Sequence, residues 1–94
     1  MNVIEITYDL RKPGRNYENV YAYLKGFEWC RPLESVWFVR TEKTAEQVRN
    51  DLLVRIDAND GLLCVNVTDD AMAWHGLSPV AGNWLRSRTN RFAA

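Results

Sequence analysis

One carboxylate stands close to three basic side chains near the N-terminus of the sequence. Asp9 ends a short alternating segment, and Arg11, Lys12 and Arg15 follow it in the next six positions. A carboxylate can ligate a divalent cation such as Mg²⁺ or Mn²⁺, and neighbouring cations can neutralise a phosphate group. This is the minimum set for metal-assisted hydrolysis of a phosphodiester. The alternative is that Asp9 caps or pins the loop that follows it, with the three cations merely solvated.

A single carboxylate rarely holds Mg²⁺ firmly, so the number of subunits matters for this hypothesis. If two copies of the chain met across a twofold axis near Asp9, two carboxylates could share one ion. A chain of 94 residues also buries only a modest core, and burial of a further face against a partner would stabilise it. The sequence therefore favours a homodimer.

The C-terminal segment is basic and aromatic. Trp84, Arg86, Arg88 and Arg91 stand in a segment, residues 71–94, that contains no acidic residue. Arginines can neutralise backbone phosphates and tryptophan can stack on a base, so this segment could lie on RNA or DNA. The alternatives are a disordered tail and an arm that crosses onto a partner subunit. We favour the arm, because its apolar side chains are too many to be left in water: Trp74, Leu77, Val80, Trp84 and Leu85.

Two further groups in this segment could carry chemistry but are better explained structurally. Asp69 and Asp70 could bind a metal, yet two acids before residues 71–74 more often cap a short helix. His75 is the single histidine of the chain. A lone histidine beside Trp74 is more often packed or exposed than a general acid or base.

Composition is that of an ordinary globular protein. Twelve basic and twelve acidic side chains cancel, so net charge gives no argument for nucleic acid and favours a protein partner instead. No basic run leads into an apolar stretch at the N-terminus, and no segment is apolar for long enough to cross a bilayer. We expect no membrane association and a cytoplasmic location.

Hydrophobic spacing predicts four strands and two helices. The first helix begins at Tyr17 with Asn16 as its cap and closes near Gly26. The second is opened by a capping box in which Thr44 caps and Gln47 reaches back. The predicted strands, from period-two alternation and β-branched content, cover residues 3–9, 27–31, 35–41 and 62–68.

This order of elements, β-α-β-β-α-β, predicts an α/β (α+β) domain of ferredoxin-like type over residues 1–68. Both helices would cover one face of an antiparallel sheet with the first and third strands in its middle. Residues 69–94 would form a C-terminal extension that could serve as a dimerisation arm.

The same arrangement predicts that the second face of the sheet is open. One set of residues from the first strand would line it, with Leu62, Cys64 and Asn66 added from the last strand: Val3, Glu5, Thr7 and Asp9. A face of mixed polarity suits a dimer contact or a binding surface. Cys30 and Cys64 would lie on opposite edge strands roughly 14 Å apart, too far for a disulfide, so both should be free thiols.

Three short motifs, in register over residues 3–68, resemble known families. Thr7-Tyr8-Asp9-Leu10 after the first strand resembles the strand-ending tyrosine-aspartate of the CRISPR-associated nuclease subunit used in spacer acquisition. Gly26-Phe27-Glu28-Trp29 and Ser35-Val36-Trp37 are similar to the second and third strands of the virulence-associated protein D ribonucleases. The hairpin at Arg31-Pro32-Leu33-Glu34 is longer than in either pattern, and the tail past Thr68 matches neither.

The resemblance implies a homodimer with Asp9 at the interface as a metal ligand, Ser35 as a polar contact near the site, and a phosphodiester as substrate. It implies a nuclease or endoribonuclease that uses Mg²⁺ or Mn²⁺, with Asp9 and Ser35 as catalytic residues. The binding of substrate phosphate by Arg11, Lys12 and Arg15 is predicted from their position after Asp9, because Lys12-Pro13-Gly14-Arg15 replaces the run of arginines in the family pattern. The rival hypothesis is a non-catalytic homodimeric module that binds a protein or a nucleic acid. A small-molecule sensor is a third.

Overall fold

The structure, a computed structural model, describes residues 1–12 and 17–88. These residues form an α+β arrangement of four strands in one antiparallel sheet and three helices. The elements, in chain order, are β1 Asn2–Asp9, α1 Glu18–Leu24, β2 Glu28–Leu33, β3 Val36–Thr41, α2 Ala45–Leu53, β4 Gly61–Asn66 and α3 Pro79–Arg88.

The strands lie side by side in the order β2-β3-β1-β4, so that β3 and β1 occupy the middle, as the sequence predicted. β1 pairs with β3 from Asn2 opposite Thr41 to Thr7 opposite Val36. On its other side β1 pairs with β4, where Asp9 lies opposite Gly61. The end of β1 is thus held between two neighbouring strands, and this fixes where Asp9 can stand.

The first face of the sheet carries the main core. Its buried side chains come from the even-numbered positions of β1, from two positions of β3 and from one stripe on each of the two helices α1 and α2: Ile4, Ile6, Tyr8, Trp37, Val39, Val20, Leu24, Val48 and Leu52. Period-two spacing on the strands and steps of three or four on the helices put these residues on facing surfaces. Both predicted helices are therefore confirmed, and each packs one apolar stripe on the sheet.

Local signals fix the start of α2 more firmly than the start of α1. The Thr44 hydroxyl accepts from the Gln47 N–H at 3.1 Å, and the Gln47 side chain accepts from the Thr44 N–H at 2.9 Å. The predicted capping box is therefore confirmed. At α1 the N-cap position is Tyr17, which makes no side-chain cap bond. The predicted cap, Asn16, lies outside the described residues.

The second face is not open as predicted, because the C-terminal segment folds back over it. Val3, placed on the open face from the sequence, is only 1% exposed. A second cluster buries it together with side chains from β2, β3, α3 and the residue that follows β4: Cys30, Phe38, Trp84, Leu85 and Val67. The apolar residues that suggested an arm onto a partner are largely satisfied within their own chain.

The path of this segment also differs from the prediction near Asp70. Residues 71–74 are not helical, so the short helix expected after Asp69 and Asp70 is wrong. The helix begins later, at Pro79, where the Ser78 hydroxyl accepts from the Ala81 N–H at 3.2 Å. Gly76 takes a positive φ of 78°, a conformation that glycine adopts at little cost, where the chain turns toward α3.

The faces of β4 are the reverse of those predicted. Cys64 pairs with Ile6 and Leu62 with Tyr8, so both side chains point to the first face, where they pack against the main core. Val65 packs against the second cluster instead. Paired residues of neighbouring strands share a face, and a one-residue shift in register exchanges the two sets.

Both cysteines are free thiols, as predicted. Cys30 belongs to the second cluster and Cys64 packs against the first, so the two also lie on opposite faces of the sheet. Burial raises the pKa of Cys30 to about 12 and that of Cys64 to about 11. Among the described residues, no helix has the length and apolar character that a membrane span requires.

Candidate functional site

A groove of about 620 Å³ opens at the end of β1, and it brings together two of the residues singled out in the sequence, Asp9 and Ser35. They meet because β1 ends beside the turn that starts β3, where the Tyr8 N–H donates to the Ser35 carbonyl at 3.2 Å. Other side chains line the groove that the sequence had not marked as functional: Tyr8, Tyr17, Tyr21, Arg31 and Glu34.

Asp9 is accessible but already has a partner. Its side chain is 69% exposed, and Arg11 Nε lies 2.8 Å from its Oδ2. The Arg11 guanidinium also donates to the Asn59 carbonyl at 3.2 Å, and a Cβ at Gly61 would stand 2.9 Å from its Nη2. Arg11 is therefore held along the edge of the sheet instead of reaching toward the groove. A cation bound at Asp9 would have to compete with it.

Lys12, a second predicted phosphate-binding residue, does not line the groove. Lys12 Nζ lies 3.4 Å from Asp57 Oδ1. Arg15 lies outside the described residues. The two described cations of this cluster, Arg11 and Lys12, are therefore each paired with a carboxylate of the same chain.

The basic residue that does line the groove is Arg31, which sequence reasoning missed. Its Nε donates to the Glu34 carbonyl at 2.9 Å and its Nη2 to the Tyr8 hydroxyl at 3.3 Å. Its guanidinium carbon lies 5.0 Å from the ring centroids of both Tyr21 and Trp37. Contacts of this kind orient a guanidinium group. In the sequence, the feature that could have marked Arg31 is a charged residue beside a proline on an edge strand. Only the pairing of β2 with β3 brings the Arg31 side chain to Tyr8.

Tyr8 is the structural centre of the site. Its hydroxyl accepts from the buried Trp37 Nε1 at 2.9 Å as well as from Arg31, and donates to the Glu34 carbonyl at 3.2 Å. Burial raises the pKa of Tyr8, so it stays protonated at neutral pH. It can position Arg31, but it is a poor general base.

Glu34 is a second acidic residue at the groove, where its backbone carbonyl accepts from the Tyr8 hydroxyl and from Arg31 Nε. Mg²⁺ in proteins is commonly bound by one or two carboxylates together with water and substrate phosphates. Within residues 1–12 and 17–88 no group of three or more metal-ligating side chains is present. Asp9 and Glu34 are too few to enclose a cation with protein ligands, so a cation here would need water and substrate phosphates as further ligands.

The aromatic and basic residues of α3 are occupied by the fold. Trp84 is buried, and the Arg88 guanidinium lies 5.1 Å from its ring centroid. Arg88 Nε also lies 3.1 Å from Glu28 Oε2, and this partner holds the pKa of Glu28 below its usual value. Trp84 therefore packs inside the molecule, which argues against its predicted stacking on a base.

The remaining predicted contacts of this segment lie apart from the groove at Asp9. The Arg86 guanidinium lies 5.2 Å from the ring centroid of Trp74. His75 is exposed and lines a separate, more apolar groove on the second face. Arg91 lies outside the described residues.

Comparison of the chain with protein-family models, with characterised proteins and with solved structures gives no match in any of the three.

Proposed function

We propose that this protein is a nuclease-like protein that binds RNA or DNA in the groove at Asp9 and hydrolyses a phosphodiester with the help of Mg²⁺ or Mn²⁺. The observation that carries the proposal is that Asp9, Glu34 and Arg31 line one groove, with Ser35 beside them. We infer further that the β-α-β-β-α-β order is a ferredoxin-like fold. The motif resemblance to the CRISPR-associated and virulence-associated nucleases supports the same assignment.

Each side chain has a role that its chemistry allows. Asp9 and Glu34 would hold the cation, which polarises the phosphoryl oxygen and lowers the pKa of a bound water. Arg31 would contact the phosphate, because a guanidinium matches the geometry of two phosphate oxygens. Tyr8 would position Arg31, and Tyr21 would offer an aromatic surface to a base or sugar.

The test is a nuclease assay on purified protein with single- and double-stranded RNA and DNA, in Mg²⁺, Mn²⁺ or EDTA. Asp9→Asn keeps the shape and removes the charge, so we expect cleavage to fall by about a hundredfold or more. Glu34→Gln should reduce it in the same direction. The matched control is Glu42→Gln, which changes an exposed carboxylate after the end of β3 farthest from the groove.

Cleavage that requires metal, persists in the control and is lost in Asp9→Asn would support the proposal. Equal cleavage by the parent and Asp9→Asn would contradict it, as would the absence of cleavage in every condition. Circular dichroism of each variant establishes that it is folded.

The salt bridge between Asp9 and Arg11 favours a second candidate, a module that binds a protein or a nucleic acid without cutting it. With its carboxylate neutralised by Arg11, Asp9 would then be structural, and Arg31 alone would contact phosphate. Affinity for a labelled oligonucleotide should fall steeply with salt, and Arg31→Gln should make the slope of log K against log salt shallower by about one. Absence of binding at low salt would point to a protein partner.

A further inference from the structure

The outer edge of β4 is the least protected edge of the sheet. β4 lies at the end of the strand order, and its six residues include no charged residue and no proline. Leu63 is 59% exposed on it. Natural sheets usually blunt such an edge with charges, proline or bulges, because its unpaired backbone groups can pair with another chain.

The opposite edge, on β2, has these protections. β2 carries Pro32 and two charged residues, Glu28 and Arg31. Its pairing with β3 is irregular between Cys30 and Leu33. A bulge and a proline both disrupt the row of donors and acceptors that a further strand would need. The β2 edge therefore carries features that hinder pairing with a further strand, and the β4 edge lacks them.

The backbone groups on the open edge can be identified from the ladder. The Val67 N–H donates to the Val3 carbonyl at 2.9 Å. In an antiparallel pair such bonds involve alternate residues. Leu63 and Val65 therefore bond to β1, while Leu62 and Cys64 direct their N–H and C=O groups outward. Within the described residues no strand pairs with them.

The helix beside this edge carries a charge pattern that complements itself. Glu46 and Arg49 of α2 are exposed and line the same groove as Leu62, Leu63 and Cys64. A twofold axis through the middle of β4 would set two copies of α2 antiparallel to each other. Glu46 of each copy would then face Arg49 of the other. A patch that is complementary to itself in this way is what a twofold interface requires.

We propose that the β4 edge is an interaction surface for a second copy of this chain. The two β4 strands pair antiparallel across a twofold axis to form one sheet of eight strands, and the two α2 helices pair above it. Because the β2 edges are protected, the assembly stops at two copies instead of growing into a fibre.

This interface goes beyond the function proposed above and does not depend on it. Asp9 lies level with Gly61, at the beginning of β4, so the two Asp9 carboxylates would stand on the order of 20 Å apart. They could not share one ion, and each groove would use its own Glu34. The contact is a narrow strip, smaller than a standard interface, so we expect a Kd of about 10⁻⁵ M.

The first test is sedimentation velocity of the parent chain over a range of about 1 to 500 µM, which spans the expected Kd. We expect a monomer that converts to a dimer and to nothing larger. A lysine on the edge strand should oppose pairing, so Leu63→Lys should raise the Kd at least about tenfold. The matched control, Leu33→Lys, changes a leucine of similar exposure, 55%, on the β2 edge and should leave the Kd unchanged.

The second test exchanges the charges. Glu46→Arg and Arg49→Glu should each weaken the dimer by placing like charges together, and the double variant should restore it, because the reversed pair is again complementary. A parent that stays monomeric throughout, equal effects of the two lysine variants, or a double variant as weak as the singles would overturn the proposal. Circular dichroism of every variant separates lost pairing from lost folding.

Discussion

At the scale of single residues, the Tyr8 hydroxyl decides the shape of the groove. It satisfies the Nε1–H of Trp37, a side chain with no exposed surface, and holds Arg31 at the mouth of the groove. A buried donor that loses its partner costs more than an average hydrogen bond contributes. The groove and the main core therefore both depend on Tyr8, and a change there should affect both stability and binding.

Tyr8→Phe should lower the free energy of unfolding by about 1–3 kcal/mol, because the Trp37 Nε1–H is left buried without an acceptor. Chemical denaturation measures this. Tyr21→Phe is the control, since no hydrogen bond of the Tyr21 hydroxyl is seen within the described residues and its ring contacts with Trp37 and Arg31 are kept. Equal losses in the two variants would show that the Tyr8 hydroxyl bonds contribute nothing.

The two thiols are also a residue-scale feature. Burial raises the pKa of Cys30 to about 12 and that of Cys64 to about 11, and only the thiolate reacts with alkylating reagents. At pH 8 both should react at least about tenfold more slowly in the folded protein than after denaturation. Mass spectrometry after timed alkylation measures each site. Rapid labelling of Cys30 in the native state would contradict its burial.

At the scale of elements, a polar contact joins the two helices on the first face. The Tyr23 hydroxyl of α1 donates to Asp51 Oδ2 of α2 at 2.6 Å, and Lys43 Nζ lies 2.7 Å from the same oxygen. The Lys43 ammonium, followed by the Tyr23 hydroxyl, lowers the pKa of Asp51. Apolar stripes bring α1 and α2 onto the sheet, and this contact fixes how they sit beside each other.

Tyr23→Phe should destabilise the protein by about 1 kcal/mol at pH 7, at the low end for a charged acceptor because Asp51 faces solvent. A carboxyl whose pKa is lowered by folding stabilises the folded state above its unfolded pKa, and this contribution is lost as the pH falls through the folded pKa. The cost of Tyr23→Phe should therefore shrink below about pH 4.

Denaturation curves at pH 7 and pH 3 measure this effect, with Asp51→Asn completing a double-mutant cycle. A cost that is the same at both pH values would mean that the charge of Asp51 plays no part. A coupling energy of zero between Tyr23 and Asp51 at pH 7 would mean that the contact does not form in solution.

At the scale of the whole molecule, the sheet is packed on both faces. α1 and α2 cover the first face, and α3 with the segment before it covers part of the second. A second packed layer adds much to the stability of a chain of this length, because small domains bury a low fraction of their surface. The extension therefore packs with the sheet, and among its described large apolar residues, up to position 88, only Val80 is strongly exposed, at 78%.

Leu85→Ala should lower the free energy of unfolding by about 2–4 kcal/mol, because it removes a buried side chain and leaves a cavity in the second cluster. Val80→Ala on the same helix should change it by less than about 0.5 kcal/mol. Thermal and urea denaturation of both variants measure the difference. Equally small effects would show that α3 does not pack on the sheet.

The sequence by itself determined the local elements and the order in which they pack. Three features depend on residues that are close together in the chain: the alternation in β1, the apolar stripes of α1 and α2, and the capping box at Thr44. They could therefore be predicted directly from the sequence. It also marked Asp9 and Ser35, which the groove brings together. The position of Asp9 follows from the strand that it ends, and that strand was a local prediction.

Only the tertiary structure decided which surfaces meet. The sequence of β4 alternates equally well with either set of its residues on the first face. Pairing with β1 places Cys64 beside Ile6 and so determines which set lies there. The apolar tail needed burial, but its spacing did not say whether its own sheet or a partner would supply it. Arg31 is held at Tyr8 by a hydrogen bond between residues that are 23 positions apart in the chain. Long-range packing depends on shape and register, and a local pattern carries no record of either.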